Sequence, residues 1–235
     1  MMTWIEARRE LREEIERWES VEITAHGRRL MPRPDPHCLN NTKYSKEHRT
    51  VVAISLSMDA IKECSSLILN NMLVGLDDPD TLVRRIIEDA LGVCGYIPAV
   101  PGLVRLLKNT NDSAERENIG LALTAIGKSA VPALLDLGID IHRREGGQAK
   151  ENIVFIEAWS AIINMGPDVV DWLLEMFLDE KTERWLMTLP ILASHYKTSA
   201  EQKFMKMLRD PIHSSNQTVA SRIDDAYKHF FVTGQ

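Results

Sequence analysis

Apolar residues in the middle of the chain recur at helical spacing, and glycine and proline interrupt them at regular intervals. Residues 90–101 read Ala-Leu-Gly-Val-Cys-Gly-Tyr-Ile-Pro-Ala-Val-Pro, and residues 122–132 repeat the pattern, one residue shorter, as Ala-Leu-Thr-Ala-Ile-Gly-Lys-Ser-Ala-Val-Pro. Each copy ends one helix at a glycine and opens another with Ala-Val-Pro, where proline suits the first helical turn. The pattern predicts stacked helical hairpins, whose units bury their apolar faces against each other.

The helix before Gly95 carries a buried stripe at i, i+3, i+4 and i+7 spacing. The members of this stripe are Val83, Ile86, Ile87, Ala90, Leu91 and Cys94. Asp80 follows the turn Asp77-Asp78-Pro79 and is placed to cap the helix. No window alternates in the manner of a strand, so the sequence predicts an all-α chain.

Polar positions repeat together with the apolar ones. Arg84 lies six residues before Ala90, and Arg116 lies six residues before Ala122. Residues 69–135 closely resemble HEAT repeats, in the variant first associated with phycobilisome lyases. That family has a Leu-rich first helix, an Asp-Pro-Asp turn, Val-Arg opening the second helix, Ala-Leu-Gly near its end and then Ala-Val-Pro.

The resemblance implies a right-handed α-α superhelix of about four to five hairpins. It also implies that Arg84 and Arg116 form a ladder with Asp78 or Asp80 and with Asp112. Beyond Gly166 the match weakens: a fourth hairpin pairs residues 168–178 with 182–194, and a fifth pairs 199–209 with 216–231. We therefore expect the repeat region to span residues 51–235.

Residues 1–50 have a different character. Trp4, Leu11 and Trp18 are spaced by seven within a Glu- and Arg-rich helix predicted over residues 3–19. That helix either caps the first hairpin or docks a partner or a second copy. Residues 27–37 have prolines at alternate positions, so we expect an extended arm there.

Charge and composition exclude several classes of protein. The net charge is −6, and residues 51–235 hold an excess of seven acidic residues, which disfavours nucleic acid as a partner and favours a basic protein. The sequence contains no run of apolar residues long enough to span a membrane, and no signal-like N-terminus. Three cysteines without a CxxC pair indicate a reduced, cytoplasmic protein. We expect no metal, cofactor or catalytic residues.

If the second helices of the hairpins line a concave groove, one candidate contact set lies on the first two of them. It consists of Arg85, Glu88, Asp89 and Glu117. A second set comes from residues 139–150, an insertion that lengthens the glycine spacing from 32 to 39 residues, and consists of His142, Arg143 and Arg144. We expect this insertion to be a surface loop, either variable or binding.

The helix predicted over residues 152–165 is apolar on all sides. Aligned on Gly166, it directs Ile156, Trp159 and Ile163 toward the groove, although a shifted alignment buries them. The sequence thus favours a non-enzymatic protein-binding module, either an adaptor or scaffold or an inhibitor of the immunity-protein type. The alternative that the resemblance suggests is a bilin lyase or a lyase-like chaperone of chromophore attachment.

Overall fold

The computed structural model describes residues 35–63 and 65–178 and, beyond them, single residues and short stretches between 184 and 228. Over these residues it contains eight α-helices, short 3-10 helices and no β-strand, which confirms the all-α prediction for this part of the chain. The α-helices are α1 (Lys46–Glu63), α2 (Ser66–Met72), α3 (Thr81–Val93), α4 (Val100–Asn109), α5 (Ser113–Ile126), α6 (Val131–Glu145), α7 (Ile153–Asn164) and α8 (Val170–Leu178).

Some predicted segments lie outside the described residues. These are the helix over residues 3–19, the arm as far as residue 34, and most of the regions assigned to the second helix of the fourth hairpin and to the fifth hairpin. The chain divides into two compact units, residues 1–126 and 127–235. Helix α1 starts at Lys46, a little before the predicted start of the repeat region.

The repeated sequence pattern produces a repeated local structure. Asp80, Asp112 and Asn152 each precede a helix, and each carboxylate or amide oxygen accepts from two free backbone amides of the first turn. Those three helices end at Gly95, Gly127 and Gly166, which have positive φ angles of 59°, 79° and 80°. A short 3-10 helix follows each glycine, and the next helix begins at Val100, Val131 or Val170. The predicted local order of capping residue, helix, terminating glycine and next helix is therefore confirmed at these three places.

Unit 1 is built around three helices that run in the same direction. Between α3 and α5, Arg84 contacts Glu115, Glu88 contacts Asn118, and Gly92 lies against Ala122. Since both residue numbers rise together, the two helices are parallel. Helix α1 is parallel to α3 as well, because Arg49 bonds Asp78 just before α3 and Ser57 bonds the carbonyl of Ile86.

Helices α2 and α4 form the other layer of unit 1. The 3-10 helix Leu73–Asp77 extends α2 and meets α4, where Gly102 faces Leu76 and Arg105 pairs with Asp77 at the surface. Helix α4 also packs against α5, from which only a short turn separates it. Unit 1 is therefore a two-layered stack of helices, with α3 covered by α1, α5 and the second layer.

Unit 2 begins with the hairpin of α6 and α7. Leu134 and Leu135 on α6, and Ala158 and Ile162 on α7, are almost completely buried. Helix α8 adds Leu173 and Phe177, neither of which is exposed. The apolar residues of unit 2 thus form a core of their own.

The helical stretch Ser113–Glu145 is long and apolar enough to pass a length and composition test for a membrane span. Half of its most apolar window is buried inside the protein, as is also the case for core helices of soluble proteins. This finding concerns the described residues.

Candidate partner-binding surface

Helix α7 starts at a well-defined cap. The side chain of Asn152 accepts from the amides of Val154 and Phe155 at 2.9 and 3.3 Å. The amide group of the same Asn152 donates to the Glu145 carboxylate at 2.8 Å, so the end of α6 fixes the start of α7. Both residues lie beside the 3-10 helix Gly146–Glu151, which joins the two helices.

The other end of α7 is fixed by a tyrosine. The Tyr196 hydroxyl donates to the carbonyl of Ile163 at 2.7 Å, where a helix leaves carbonyls without intrahelical partners. Burial raises the pKa of Tyr196, so this hydroxyl remains a donor at neutral pH. With both ends held, α7 presents its side chains in a fixed orientation.

One side of α7 faces the core, and the opposite side exposes isoleucines beside the polar residues Ser160 and Asn164. Ala158, Ala161 and Ile162 are buried, each about 2% exposed. On the opposite side, Ile153 is 46% exposed and Ile156 is 41% exposed. Ile163 is half-buried on the same side. We call Ile153, Ile156 and Ile163, with Trp159 at their edge, the α7 surface.

Trp159 is half-buried and stands between the core and solvent. Its ring lies 5.4 Å from that of Phe155, centroid to centroid, with a tilt of 34°. The two rings line a small crevice together with Leu134, Leu135 and Gly138 of α6, Ala158 and Ile162 of α7, and Ile191. Trp159 is therefore neither fully buried nor fully exposed, and its contact with a partner stays a prediction.

The insertion at residues 139–150 is helical, so the expectation of a surface loop is wrong. Helix α6 continues to Glu145 and a 3-10 helix follows directly. The physical reason is that Ile139 and Ile141 are buried, which extends the packed face of α6 beyond the length of the other repeats. Gly146, at a φ of 58°, ends the helix.

Three basic residues of this insertion are exposed on the last turn of α6. They are His142, Arg143 and Arg144. Positive side chains are favourable at a helix C-terminus, and the Arg144 Nε donates to the carbonyl of Asp140 at 3.2 Å. These residues lie at the same end of the α6–α7 hairpin as Ile153, so a basic edge borders the α7 surface.

The other predicted contacts lie in unit 1. Arg85 on α3 and Glu117 on α5 occupy equivalent repeat positions and are exposed, while Asp89 is half-buried. The prediction that Glu88 lines an exposed groove is wrong, because Glu88 is 0% exposed. Helix α3 has neighbours on three sides, so only a narrow strip that includes Leu82 and Arg85 reaches solvent.

Burial changes the acidity of the two neighbouring carboxyl groups. Loss of hydration raises the pKa of Glu88 to about 8, against a hydrogen bond from Asn118 that lowers it. The same loss of hydration raises the pKa of Asp89 to about 6. At neutral pH, Glu88 is mostly protonated in the folded protein, so it adds little to the acidic surface.

The prediction that Arg84 and Arg116 pair with the carboxylates of the turn aspartates is wrong: Arg84 pairs with a glutamate, and Arg116 donates to the carbonyl of Thr110. The Nε of Arg84 pairs with Glu115 of α5 at 2.5 Å, and the Nε of Arg49 pairs with Asp78 at 2.8 Å. The expected carboxylates of Asp80 and Asp112 cap helices instead. The role of Arg49 was not predicted from the sequence. Arg49, Arg84 and Arg116 share one structural feature, since each donates to a backbone carbonyl five or six residues earlier.

Among the residues that the structure describes, no three His, Cys, Asp or Glu side chains are grouped to hold a metal ion. Comparison with known proteins finds no family model, no curated protein and no solved structure that matches the chain.

Proposed function

We propose that the chain is a non-enzymatic helical-repeat module that binds a protein partner, and that the α7 surface is the centre of that contact. The supporting observation is the exposure of Ile153 and Ile156 on a helix whose two ends are held in place. A single exposed apolar residue is common on protein surfaces. A helix that gathers isoleucines beside a half-buried tryptophan resembles the apolar, aromatic centres of protein interfaces.

In this proposal the repeated hairpins form a HEAT-like superhelix. Its support is the local structure that recurs three times, with an Asx cap, a positive-φ glycine and a new helix at valine. Within unit 2, the basic edge of α6 borders the apolar centre with polar residues, and exposed Glu117 and Arg85 offer further polar contacts in unit 1. An adaptor or an immunity-type inhibitor would use a face of this kind.

The partner is proposed to be basic, as the net charge of −6 favours. Because Glu88 is buried, it is not available as one of the acidic contact residues that the sequence predicted. Apolar contacts at α7 therefore supply most of the affinity, and the remaining exposed carboxylates mainly increase the rate of encounter.

The test is affinity capture with variants of matched chemistry. The unchanged protein and Ile156→Ser are immobilised, a stoichiometric partner is identified from the native host, and binding is then measured with both purified proteins. We expect Ile156→Ser to weaken binding by about tenfold or more while leaving the thermal midpoint unchanged, since the residue is at the surface.

Leu67→Ser is the control, because Leu67 is an exposed apolar residue on α2 in unit 1. It should bind like the unchanged protein. An equal loss of binding in both variants would contradict the role of α7, and so would normal binding by both variants. Visible absorbance of the purified complex would instead indicate a bound chromophore and point to the lyase class.

A further inference from the structure

A carboxyl group is enclosed between α3 and α5 without a complete set of hydrogen-bond partners. Glu88 is fully buried, and its Oε2 accepts from the Asn118 amide at 2.9 Å. Its Oε1 has no hydrogen-bond partner among the described residues. A buried polar atom left in this condition costs about 1–3 kcal/mol, and more if it is charged.

The charged groups around Glu88 do not neutralise it. On α5, the Glu115 carboxylate disfavours a second negative charge and is already paired with Arg84. Also on α5, Arg116 donates from its Nη1 to the carbonyl of Thr110, and its buried Nε has no hydrogen-bond partner among the described residues. On α3 itself, Asp89 is a further like charge, and Arg84 is an opposite charge that lowers the pKa of Glu88.

The remaining helices packed on α3 leave Glu88 equally without a counter-ion. Helix α1 faces this part of α3 with uncharged Ser57, and the Arg49 side chain of α1 pairs with Asp78. In the second layer, Asp77 pairs with Arg105 at the surface.

Close packing one turn further along leaves little room for water to enter. A Cβ added to Gly92 would lie 2.8 Å from the Ala122 Cα, so the backbones of α3 and α5 approach closely there. An ionised Glu88 can gain solvent only if the two helices move apart.

We propose that Glu88 is a proton-dependent switch at the α3–α5 interface, which allows the two helices to pack closely while protonated and separates them when the proton is lost. This inference concerns regulation of unit 1 and does not depend on the proposed binding function of α7. It predicts that unit 1 is most tightly packed at mildly acidic pH and loosens progressively as the pH rises toward 8.

The direction follows from proton linkage. The pKa of Glu88 is about 8 in the folded protein against an ordinary 4.5, so the folded state binds more protons than the unfolded state between these values. Its contribution to stability is complete below pH 4.5 and is lost as the pH rises through 8. Burial raises the pKa of Asp89 from 3.8 to about 6, so Asp89 also lowers the stability as the pH rises, but over this lower pH range.

The experiment measures denaturant unfolding of the full chain between about pH 5 and pH 9, together with amide hydrogen exchange corrected for its intrinsic pH dependence. For the unchanged protein, the unfolding equilibrium constant should rise by up to about tenfold per pH unit between about pH 6 and about pH 8, and it should level off above the pKa of Glu88 of about 8. Exchange should increase in α3 and α5 while α7, in unit 2, stays protected.

Glu88→Gln cannot ionise and should abolish this dependence above about pH 6, the range in which Asp89 no longer contributes. Glu117→Gln, which removes an exposed carboxylate from α5, should retain the full dependence. Glu88→Met offers a second neutral side chain of similar length in case the glutamine amide is poorly accommodated.

Any of three outcomes would overturn the proposal. The first is an unchanged protein whose stability is flat across this pH range, and the second is a Glu88→Gln variant with an unaltered profile. The third is exchange that rises equally in α3, α5 and α7, because that would indicate global loosening without a switch at this interface.

Discussion

Arg84 of α3 and Glu115 of α5 form an ion pair with 2.5 Å between Nε and Oε1, and the Glu115 side chain is only 1% exposed. The same guanidinium donates to the carbonyl of Asp78 and to the Thr81 hydroxyl. One side chain therefore closes the turn before its own helix and also bonds the next parallel helix.

Replacement of Glu115 by glutamine should destabilise unit 1 by about 3 kcal/mol, because it leaves the largely buried Arg84 charge without its counter-ion. Denaturant unfolding measures this. The control is Asp77→Asn, which breaks the surface pair with Arg105 and should cost less than about 1 kcal/mol. A similar loss of unfolding free energy in the two variants would show that burial of the Arg84–Glu115 pair does not increase its contribution to stability.

Gly92→Ala should destabilise the protein by about 1–2 kcal/mol, although alanine is the better helix former. The new methyl group meets the backbone of Ala122, which cannot rotate away, so α3 and α5 must separate. Gly102→Ala in α4 is the matched control, since its methyl group meets only the flexible end of Leu76. Thermal unfolding should give a lower midpoint for Gly92→Ala than for the unchanged protein, and an equal or higher midpoint for Gly102→Ala.

The two sides of α7 should respond differently to truncation. Ile162→Ala leaves a cavity in the core of unit 2 and should cost about 2–5 kcal/mol. Ile153→Ala, on the exposed side, should cost less than about 1 kcal/mol. Denaturant unfolding of both variants tests the orientation of the helix, and a reversed order would mean that α7 is rotated.

Trp159→Ala should affect both stability and binding. The ring packs on Phe155 and lines the crevice, so we expect a loss of about 2–3 kcal/mol, below the cost for a fully buried tryptophan. Its exposed edge should contribute to partner binding by about 2 kcal/mol. Calorimetric melting and a binding titration measure the two effects, and an unchanged value in either would assign Trp159 wholly to the other role.

Association with a basic partner should be sensitive to salt and to the charge at Glu117. At about 0.15 M salt the Debye length is near 8 Å, so an increase to about 0.5 M should slow association more than it changes dissociation. Glu117→Lys should reproduce the slower association at low salt. Glu175→Lys on α8 reverses an exposed charge in unit 2 and serves as the control; equal effects of the two reversals would indicate that net charge alone sets the association rate.

The local features of the fold could be predicted because short sequence patterns determine them. Asp80 before the helix, glycines at positive φ and proline in the first turn act within a few residues of themselves. The helical form of residues 139–145 was missed because His142-Arg143-Arg144 followed by two glycines is typical of a loop. The opposing signal was the pair Ile139 and Ile141, both of which are buried in α6.

The environment of Glu88 could not be predicted from the repeat pattern. A glutamate between Ile87 and Asp89 reads as a solvent-facing position when α3 is considered alone. Its burial depends on α5 covering that side of α3, a contact between residues that are roughly one repeat apart in sequence. The partners of Arg84 were missed for the same reason, since Glu115 belongs to the next repeat.

The contacts that join α1, α3 and α5 also bear on how the protein folds during synthesis. Each joins a helix to the one that follows it in the row, at separations such as Ser57 to Ile86 and Glu88 to Asn118. Such short separations favour fast folding, because little chain must be ordered before each contact forms. We therefore expect α3 to dock on α1 while α5 is still being translated, so that unit 1 assembles helix by helix as it leaves the ribosome.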